Sequence, residues 1–412
     1  MEQTADDRAR QSVALTRRVA AYLVVLLGYL FYCYNFNLVD YIRPYLVSEY
    51  KFTLTQTATF SVAANIGITL GAIGWATFIA WAGLRRAVFV IAATIGTVGA
   101  LHAMSDDFAL WFGLRGLMAA ALAGYYIVAI NIVVALAPPS MRGKLIALNF
   151  AMYPLSNMML GALGGTLGDA NWHILVWLGA VPLLVAPFAF MLVPSGKGEA
   201  PPPVEQKDVS RPPLLGGWRA MLSPPWRWLT IGCIVLSGID FNAYQLFASF
   251  MTVYLKQELA YSAAQVGATV ALFAAGQLGG GFFWAWLADR YGRRIAAVGY
   301  LIAAAAVLVF LFGGLNGTAL SAVALVFGIG LSCTTAWGVW FAELFPERLR
   351  PYGTALFQGG HVIALGAPLF FAFASPIFGL QVTMATAAAI YVLGFAIWLM
   401  LPETLGRDQA TD

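Results

Sequence analysis

Long runs of apolar residues, separated by short polar segments, recur along the whole chain. Each run has about 18 residues or more, enough for a helix to cross the roughly 30 Å hydrocarbon core of a bilayer. The runs are apolar on all faces, whereas membrane β-strands alternate polar and apolar positions. The pattern predicts twelve spans, numbered one to twelve, at residues 19–41, 55–81, 87–104, 108–137, 145–167, 174–193, 229–253, 262–288, 295–312, 320–341, 353–374 and 382–401.

Composition supports an all-α membrane protein. Hydrophobic residues make up 60% of the 412 positions and charged residues only 10%. A soluble domain carries about 25% charged residues, so this chain lacks the charge to cover a water-facing surface of its size. The first 18 residues are polar and lead directly into a full-length span, so we expect no cleavable signal peptide.

The basic residues predict the orientation in the membrane. Of the 23 Lys and Arg residues, 19 fall on the side of the N-terminus, while Arg43, Lys51 and Lys256 fall on the other side and Arg115 lies within span four. Basic residues are enriched in cytoplasmic loops. We therefore expect a multi-pass protein of the cell (inner or plasma) membrane with both termini in the cytoplasm.

The chain contains an internal repeat. A gap-free shift of 209 residues pairs Tyr45 with Tyr254, Gln56 with Gln265, Gly71 with Gly280, Trp75 with Trp284 and Arg85 with Arg294. A polar, proline-rich stretch at residues 194–225 separates the copies and suits a solvated linker. The sequence predicts two pseudo-symmetric six-helix bundles, residues 1–193 and 226–412. Related halves usually hold the substrate between them near the bilayer midplane.

Four motifs follow particular spans. Residues 285–294, after span eight, read Ala-Trp-Leu-Ala-Asp-Arg-Tyr-Gly-Arg-Arg, and residues 342–350, after span ten, read Ala-Glu-Leu-Phe-Pro-Glu-Arg-Leu-Arg. Arg115 is followed after span four by Pro138 and Arg142, and residues 402–406 read Pro-Glu-Thr-Leu-Gly. Together they resemble the motifs of the major facilitator superfamily, whose signature loop is G-x-L-A-D-R-x-G-R-R. The resemblance implies the major facilitator fold and secondary transport.

The charged loops at the ends of spans eight and ten are candidates for a gate. Asp289 can bond to backbone N–H groups and to Arg293 or Arg294, and Glu343 can join the same cluster two turns before Arg350. The expected gating residues are Asp289, Arg290, Arg293, Arg294, Glu343, Arg350 and Arg142. At the repeat offsets, the first half has Ala80 and Ala135 at the positions that correspond to Asp289 and Glu343 in the second half. Because only the second half has these acids, the sequence predicts a one-sided cytoplasmic gate. A topology anchor without a gating role is the alternative.

Few ionisable groups lie inside spans, and each is a functional candidate because it is costly there. Asp240 lies near the middle of span seven and can bind and release a proton, or it can be a structural carboxylate bonded to Asn242 or a tyrosine. Arg115 keeps its charge and either binds an anion or pairs with a carboxylate. His361, in span eleven, titrates near neutrality or is a satisfied buried histidine.

The pattern around His361 narrows the resemblance. Residues 353–361 read Gly-Thr-Ala-Leu-Phe-Gln-Gly-Gly-His, and Pro368 follows. This is similar to span eleven of the aromatic-acid and organic-anion/proton symporters, which often have Arg at the position of His361. Those symporters carry D-G-x-D in span one, where residues 32–35 here read Tyr-Cys-Tyr-Asn. With both acids replaced, a coupled proton is expected on Asp240 or His361.

Polar and aromatic side chains at helical spacing predict the lining of a cavity for a small organic molecule. Interhelical packing is the alternative for each tyrosine and tryptophan taken singly. The expected substrate-binding residues are Arg115, Tyr32, Asn35, Tyr126, Asn149, Tyr153, Asn157, Asn242, Tyr244, Gln245, Trp337, Gln358 and His361.

The sequence thus predicts a monomeric transporter that moves a small organic anion, expected to be a carboxylate, by alternating access with a coupled proton. A drug or metabolite exporter of the same superfamily is one alternative, and a non-transporting membrane sensor is another. An enzyme is not expected, since no metal cluster, nucleophile elbow or phosphate loop is present in the sequence. We expect no cofactor, no metal and no nucleic-acid partner.

Overall fold

The computed structural model describes residues 5–194, 216–346 and 349–405. Within these ranges the chain forms sixteen α-helices and four 3₁₀ segments and contains no strand. The helices are α1 (Ala5–Ser48), α2 (Leu54–Ala82), α3 (Leu84–Ala103), α4 (Phe108–Leu136), α5 (Pro139–Leu167), α6 (His173–Leu178), α7 (Pro182–Leu192), α8 (Gly216–Met221), α9 (Arg227–Phe247), α10 (Met251–Gln257), α11 (Ala263–Tyr291), α12 (Val298–Phe312), α13 (Gly317–Leu331), α14 (Trp337–Glu343), α15 (Arg350–Ile363) and α16 (Gly366–Met400).

The described helices are long enough in total for the twelve predicted crossings. In the described ranges, eleven helical stretches are long and apolar enough to span a bilayer, and the last of them, Ala355–Met400, has 46 residues. At 1.5 Å per residue it would be about 69 Å long, twice the thickness of a hydrocarbon core. Gly379 interrupts it with φ 80° and ψ 167°, a conformation that suits glycine. This break separates spans eleven and twelve, where the sequence predicts a loop.

Several spans predicted as single helices are interrupted. Span six consists of α6 and α7, with Pro182 at the start of the second piece. In span seven, 3₁₀ segment Ala248–Phe250 lies between α9 and α10, and in span ten, 3₁₀ segment Ser332–Ala336 lies between α13 and α14. Span eleven breaks between α15 and α16. Hydropathy does not reveal such breaks, because the residues on both sides are equally apolar.

The described helices cluster into two compact units. Unit 1 is drawn from Met1–Val39, Ile66–Ser156 and His173–Gln206, and unit 2 from Asp40–Asn65, Asn157–Trp172 and Lys207–Asp412. Fully buried side chains of α3 and α4, such as Ile91 and Tyr125, form much of the core of unit 1. Most of the predicted linker, residues 195–215, lies outside the described residues. The division into halves 1–193 and 226–412 stays a prediction.

The internal repeat is visible in the hydrogen bonds. The indole of Trp75 donates to the carbonyl oxygen of Ala120 at 2.9 Å, and the indole of Trp284 donates to that of Ile329 at 2.7 Å. Both partners are shifted by the same 209 residues. The N-terminal caps repeat as well, since Thr53 and Gln56 bond as Ser262 and Gln265 do. The offset found in the sequence therefore relates equivalent structures.

Successive spans alternate in direction, so the loops between them fall on two sides of the membrane. We call the side of the loop at Gly292, predicted to be cytoplasmic, the proximal side, and the opposite side the distal side. The loop at Gly292 is proximal, and the turn at Lys51 is distal.

Candidate substrate and proton site

The break in span eleven exposes a carbonyl group that the helix cannot satisfy. In an α-helix the N–H of residue 368 would donate to the carbonyl of Ala364, but Pro368 has no N–H. The side chain of Asn65, from α2, takes its place, because Nδ2 donates to the Ala364 oxygen at 3.3 Å. Asn65 is 3% exposed, so this amide satisfies a backbone group that water does not reach readily.

The same amide determines the tautomer of His361. A carbonyl oxygen only accepts, so the amide nitrogen of Asn65 must face Ala364, and its Oδ1 then faces His361. Oδ1 lies 3.0 Å from His361 Nδ1, which must therefore carry a hydrogen and donate. In the neutral ring Nε2 is then the proton acceptor. His361 is 5% exposed.

Two glycines bring spans seven and eleven into close contact beside His361. A Cβ atom on Gly238 would lie 2.5 Å from Cβ of Ile363, and one on Gly360 would lie 2.7 Å from the Gly238 nitrogen. This approach stacks the ring of Phe241 on the imidazole of His361, with centroids 4.1 Å apart and planes at 17°. Small residues at a helix crossing thus place an aromatic face against the histidine.

Asn242 and Gln245, both predicted to bind substrate, lie at this break. Asn242 Nδ2 donates to the carbonyl oxygen of Ile363 at 3.1 Å and to that of Gly238 at 2.7 Å. Gln245 Oε1 accepts from Asn65 Nδ2 at 3.4 Å. We call Asn65, Phe241, Asn242, Gln245 and His361 the His361 cluster. Two of its amides bond to carbonyl oxygens of the broken helix, and the neutral His361 ring can take up a proton at Nε2.

Asp240 points into the aromatic interior of unit 2. The carboxyl group is 6% exposed, and its Oδ1 accepts from the hydroxyl of Tyr300 at 3.0 Å. Tyr300 packs against Tyr391 and Trp398, with centroids 5.3 and 5.4 Å away. Within the described parts of the chain no cation pairs with Asp240. The bond from Tyr300 agrees with the alternative that Asp240 is a structural carboxylate. The lack of a pairing cation agrees with the alternative that Asp240 gains and loses a proton.

Arg115 is buried in unit 1, with 7% of its surface exposed. Its Nη1 and Nη2 donate to the carbonyl oxygens of Asn35 and Phe36 at 3.0 Å each. The cavity that Arg115 lines, together with His102 and Trp111, has a volume of about 10 Å³. That is space for a single water molecule and not for an organic anion.

Asn35 repeats the role of Asn65 in unit 1. In a continuous helix the N–H of Leu183 would donate to the carbonyl oxygen of Gly179. At the break between α6 and α7 it donates to the carbonyl oxygen of Ala180 instead. Asn35 Nδ2 donates to the Gly179 oxygen at 3.0 Å. A side-chain amide thus satisfies the carbonyl of a second broken span.

The other predicted lining residues of unit 1 are half-buried or buried. Tyr32 packs against Tyr29, with centroids 4.9 Å apart, and Tyr126 lies 6.3 Å from Phe150. Tyr153 meets Phe36 edge to face at 6.1 Å. Asn149 is fully buried and accepts from Tyr22 at 3.4 Å.

Four further predicted residues lie in unit 2. Asn157 is 5% exposed, and its Nδ2 has no partner among the described residues. Trp337 is buried among Trp398, Phe357 and Phe341, as expected for packing. Tyr244 and Gln358 are half-buried. Their substrate-binding roles stay predictions.

The proximal loops form a charged cluster around Arg293. Its guanidinium makes two bonds to Glu343, Nη2 to Oε1 at 2.9 Å and Nε to Oε2 at 3.2 Å, and a third to Asp289. Thr404 donates to Glu343 Oε2 at 2.6 Å. Glu343 therefore lies in the cluster with Asp289, as the sequence predicts, and Arg293 rather than Arg294 is the partner of Asp289.

Glu403 ties the end of the chain to this cluster. Its carboxylate accepts from the backbone N–H groups of Arg293 and Arg294 at 2.8 Å each, and from those of Thr404 and Leu405. Burial raises the pKa of Glu403, but the four N–H groups outweigh that effect and hold the pKa below its usual range. The carboxylate thus caps the backbone at the start of span nine.

Of the remaining predicted gating residues, Arg142 belongs to unit 1, and Arg290, Arg294 and Arg350 belong to unit 2. Arg294 Nε donates to the Leu401 oxygen at 2.8 Å, and Arg142 Nε donates to the Ala137 oxygen at 3.2 Å. Arg290 is exposed, with its guanidinium 5.7 Å from the ring of Tyr291. Arg350 is half-buried at the start of α15. Gating by any of these residues stays a prediction.

Comparison with known proteins identifies the family. The sequence profile of the Major Facilitator Superfamily matches residues 25–244 and again residues 233–411. The chain belongs to the major facilitator superfamily.

Its relatives in this superfamily are distant. A niacin transporter of Acinetobacter baylyi is 24% identical over 384 residues, which are 84% of each chain. A putative niacin/nicotinamide transporter of Bacillus subtilis is 24% identical over 336 residues, covering 80% of this chain and 81% of that one.

Solved structures show the same fold. A bacterial homologue of the human lysosomal transporter Spinster, in an inward-facing and unoccupied conformation, aligns with a TM-score of 0.78 at 16% identity, over 93% of this chain and 97% of the other. A D-xylose–proton symporter aligns with a TM-score of 0.71 at 15% identity, over 94% and 99%. The protein is a multi-pass membrane transporter with the major facilitator fold and a small-molecule substrate, and not an enzyme.

Sequence reasoning missed three residues of this transporter that carry the local chemistry. Asn65 was not singled out, although an asparagine inside an apolar span is itself a signal of a bonded polar group. Tyr300 is one of 17 tyrosines, and nothing in its spacing points to Asp240. Glu403 was noticed only as part of a motif, because its partners are backbone groups, which leave no pattern in the sequence.

Proposed function

We propose that this protein is a proton-coupled symporter of a small organic anion, namely an aromatic monocarboxylate of about the size of nicotinate. Two of its relatives are named for niacin, which is a pyridine carboxylate. The pattern of span eleven, similar to that of aromatic-acid/proton symporters, agrees with this class. We further propose that the protein works as a monomer in the plasma membrane with both termini in the cytoplasm.

The observation that carries the proposal is the state of His361. Its Nδ1–H is committed to Asn65, so a proton can be gained or lost only at Nε2. The proton-bearing ring is a cation inside the membrane protein and can pair with a carboxylate, whereas the neutral ring cannot. Proton binding and anion binding at the ring are therefore mutually favourable, which is what symport of an acid and a proton requires.

The ring of Phe241 favours the charged form as well. A cation over an aromatic face is stabilised by about 0.5–2 kcal/mol. The stacked geometry of Phe241 on His361 supplies this contact without adding a permanent negative charge that would repel the substrate. An aromatic ring beside a single group that can carry a charge suits an aromatic acid better than a sugar, which needs many hydrogen bonds.

A thermal-shift screen of the purified protein tests the substrate class. Nicotinate and nicotinamide have the same ring and nearly the same size but differ in charge, so they form a matched pair. We expect nicotinate to raise the melting temperature and nicotinamide, xylose and a cationic drug to leave it unchanged. Stabilisation by nicotinamide equal to that by nicotinate, or by the cation alone, would contradict the proposal.

A variant links the effect to His361. In His361→Asn, the amide nitrogen takes the position of Nδ1 and keeps the bond to Asn65, while the proton acceptor at Nε2 is removed. We expect this variant to fold and to need a higher nicotinate concentration than the wild type for the same shift. His173→Gln, at the start of α6, is the control and should keep the shift.

A further inference from the structure

An apolar groove lies on the surface of unit 2, between α11 of span eight and α13 of span ten, with a volume of about 420 Å³. Its lining includes Gly276, Gly279, Gly280 and Phe283 of α11 and Leu325 and Ile329 of α13. These residues carry apolar side chains or none, whereas a site for a polar solute presents a few hydrogen-bonding groups. The groove therefore suits a hydrocarbon chain better than a polar solute.

Two of the glycines allow the helices on either side of the groove to pack closely. A Cβ atom on Gly276 would lie 2.1 Å from the carbonyl oxygen of Leu325, and one on Gly280 would lie 2.7 Å from Cα of Ile329. Any side chain at these positions would force the two backbones apart. Gly276 and Gly280 are thus explained by the crossing of spans eight and ten.

Gly279 is not explained by this crossing. Outside its own helix backbone and chain neighbours, no described atom lies within 4 Å of the position that its Cβ would take, and the residue is exposed. Its backbone is helical, so no turn requires a glycine there. A glycine inside a helix costs about 1 kcal/mol relative to alanine. What Gly279 supplies in return is an open floor for the groove.

A basic residue lies on the groove's face of α11, toward the proximal side. Gly276, Phe283 and Arg290 recur at intervals of seven residues, which is two helical turns. At 1.5 Å per residue, Arg290 lies roughly 10 Å from Phe283 and roughly 21 Å from Gly276 along the helix axis. The hydrocarbon of one leaflet is about 15 Å thick. A lipid with its headgroup at Arg290 would therefore place the end of an acyl chain in the groove.

The surroundings of Arg290 are those of a membrane boundary. Trp286 and Tyr291 are 57% and 61% exposed, with ring centroids 6.5 Å apart, and exposed Trp and Tyr side chains favour the interface between hydrocarbon and water. Arg290 Nε donates to the Tyr291 hydroxyl at 3.3 Å. Among the described residues no carboxylate pairs with Arg290, because its neighbour Asp289 bonds to Arg293. The guanidinium is thus an exposed charge at the boundary.

The internal repeat shows which features belong to helix packing alone. At the offset of 209 residues, Gly276 and Gly280 correspond to Gly67 and Gly71 of span two. A Cβ atom on Gly71 would lie 2.4 Å from the carbonyl oxygen of Ala120 in span four. Both halves therefore keep the two glycines that close packing requires.

The first half lacks the other two features. The same offset pairs Gly279 with Leu70 and Arg290 with Trp81, whose side chains are 65% and 80% exposed. An apolar side chain thus replaces the open floor, and an uncharged ring replaces the cation. The open floor and the charge occur together in the second half, as expected if they serve one ligand.

We propose that the groove and Arg290 form a binding site for one anionic phospholipid of the proximal leaflet. The acyl chain lies over Gly279, and the phosphate pairs with the guanidinium of Arg290. A helix of a second copy of this chain would also cover an apolar groove, but it would not require a cation at the groove's proximal end. Charge complementarity therefore favours the lipid. This inference does not depend on the identity of the substrate.

Photocrosslinking tests the site without a transport measurement. The purified protein is reconstituted into phosphatidylcholine vesicles that contain a small fraction of a probe lipid, with a diazirine near the end of one acyl chain. The probe is either phosphatidylglycerol, which is anionic, or phosphatidylcholine with the same chains. Mass spectrometry then measures the label on the peptides that contain Phe283, Leu325 and Ile329. We expect the anionic probe to label them about fivefold more, the preference that one basic residue near the membrane surface gives an anionic lipid.

Two variants separate the groove from the charge. Gly279→Leu fills the groove with the residue found in the first half, and it should fold because leucine is a better helix former than glycine. We expect it to reduce labelling by both probes about fivefold or more, since the leucine occupies the space of several chain carbons. Arg290→Gln should keep labelling by the phosphatidylcholine probe and reduce the preference for the anionic probe to less than about twofold.

Matched controls lie in the first half. Gly113 is an exposed glycine of α4 with equally open surroundings, and Arg86 is an exposed arginine of α3. Gly113→Leu and Arg86→Gln should leave labelling of the groove peptides unchanged. The proposal is wrong if the two probes label the wild type equally, or if Gly279→Leu is labelled as the wild type is. It is also wrong if Arg86→Gln loses the preference as Arg290→Gln does, or if the groove peptides crosslink to a second copy of the chain.

Discussion

Replacing Asn65 by leucine perturbs the span-eleven break with little change in side-chain volume. The substitution strands two buried groups, the Ala364 carbonyl, which Pro368 cannot serve, and the Nδ1–H of His361. A buried polar group left without a partner costs about 1–3 kcal/mol. Two such groups cost roughly 2–6 kcal/mol, and burial of the apolar side chain returns about 1–2 kcal/mol. We expect a net destabilisation of about 3 kcal/mol.

Asn65→Asp removes the hydrogen bond to Ala364 and keeps the hydrogen bond to His361. The aspartate still accepts from His361 but has no donor for Ala364, and its charge beside the imidazole favours the proton-bearing ring. We therefore expect Asn65→Asp to be less stable than the wild type and to transport with a pH dependence displaced to higher pH, because His361 then releases its proton only at higher pH. Asn65→Leu should lower the rate without this displacement.

The assays are thermal unfolding in detergent and uptake by proteoliposomes between pH 5 and 9. Asn131→Leu is the matched control, since the Asn131 amide is exposed on span four and donates to the Ile127 oxygen of its own helix. It should change stability by less than about 0.5 kcal/mol. If Asn65→Leu is as stable as Asn131→Leu, the amide does not support the broken helix and the assignment of the His361 tautomer fails.

The remaining predictions concern the proximal cluster and Asp240. Glu343→Gln should slow transport more than Asp289→Asn. Glu343 makes two bonds to Arg293 and its side chain is 30% exposed, whereas the side chain of Asp289 is 70% exposed. Equal uptake rates in both variants would argue against gating by this cluster. Glu403→Gln should be less stable than the wild type at neutral pH, and the difference should vanish on acidification. The pKa of the Glu403 carboxyl is held low in the folded protein. Its contribution to the free energy of unfolding is therefore present above the ordinary pKa of glutamate and is lost as the pH falls through the pKa of the folded state. Melting curves from pH 3 to 8 test this expectation. Asp240→Asn keeps an acceptor for Tyr300 and should fold; if it abolishes proton movement while His361→Asn does not, Asp240 carries the coupled proton.

Much of this fold is predictable from sequence because the bilayer imposes it. A backbone inside hydrocarbon must satisfy its own polar groups, so apolar runs become helices, and an unbroken offset such as Trp75 to Trp284 implies equivalent structures. The equivalence of the two indole bonds, one to Ala120 and one to Ile329, agrees with that offset. The breaks at Gly179 and Ala364 do not follow from hydropathy, since the segments on both sides are apolar.

The site was less predictable because its polar side chains form hydrogen bonds with backbone carbonyl groups. Asn35 and Asn242 were expected to line a substrate cavity, and their amides bond to carbonyl oxygens at the broken helices. Which asparagine meets which break depends on the packing of spans distant in the sequence, as with Asn65 and Ala364. Titratable residues inside spans were easier to find, since Asp240, Arg115 and His361 are conspicuous among apolar neighbours.

Proton movement driven by the anion tests the central claim most directly. Proteoliposomes that enclose a pH-sensitive dye and start without a pH gradient are given external nicotinate. We predict that the wild type acidifies the lumen as nicotinate enters, and that His361→Asn exchanges nicotinate at saturating concentration without moving protons. Acidification by His361→Asn equal to that of the wild type would contradict the assignment of the coupled proton to Nε2 of His361.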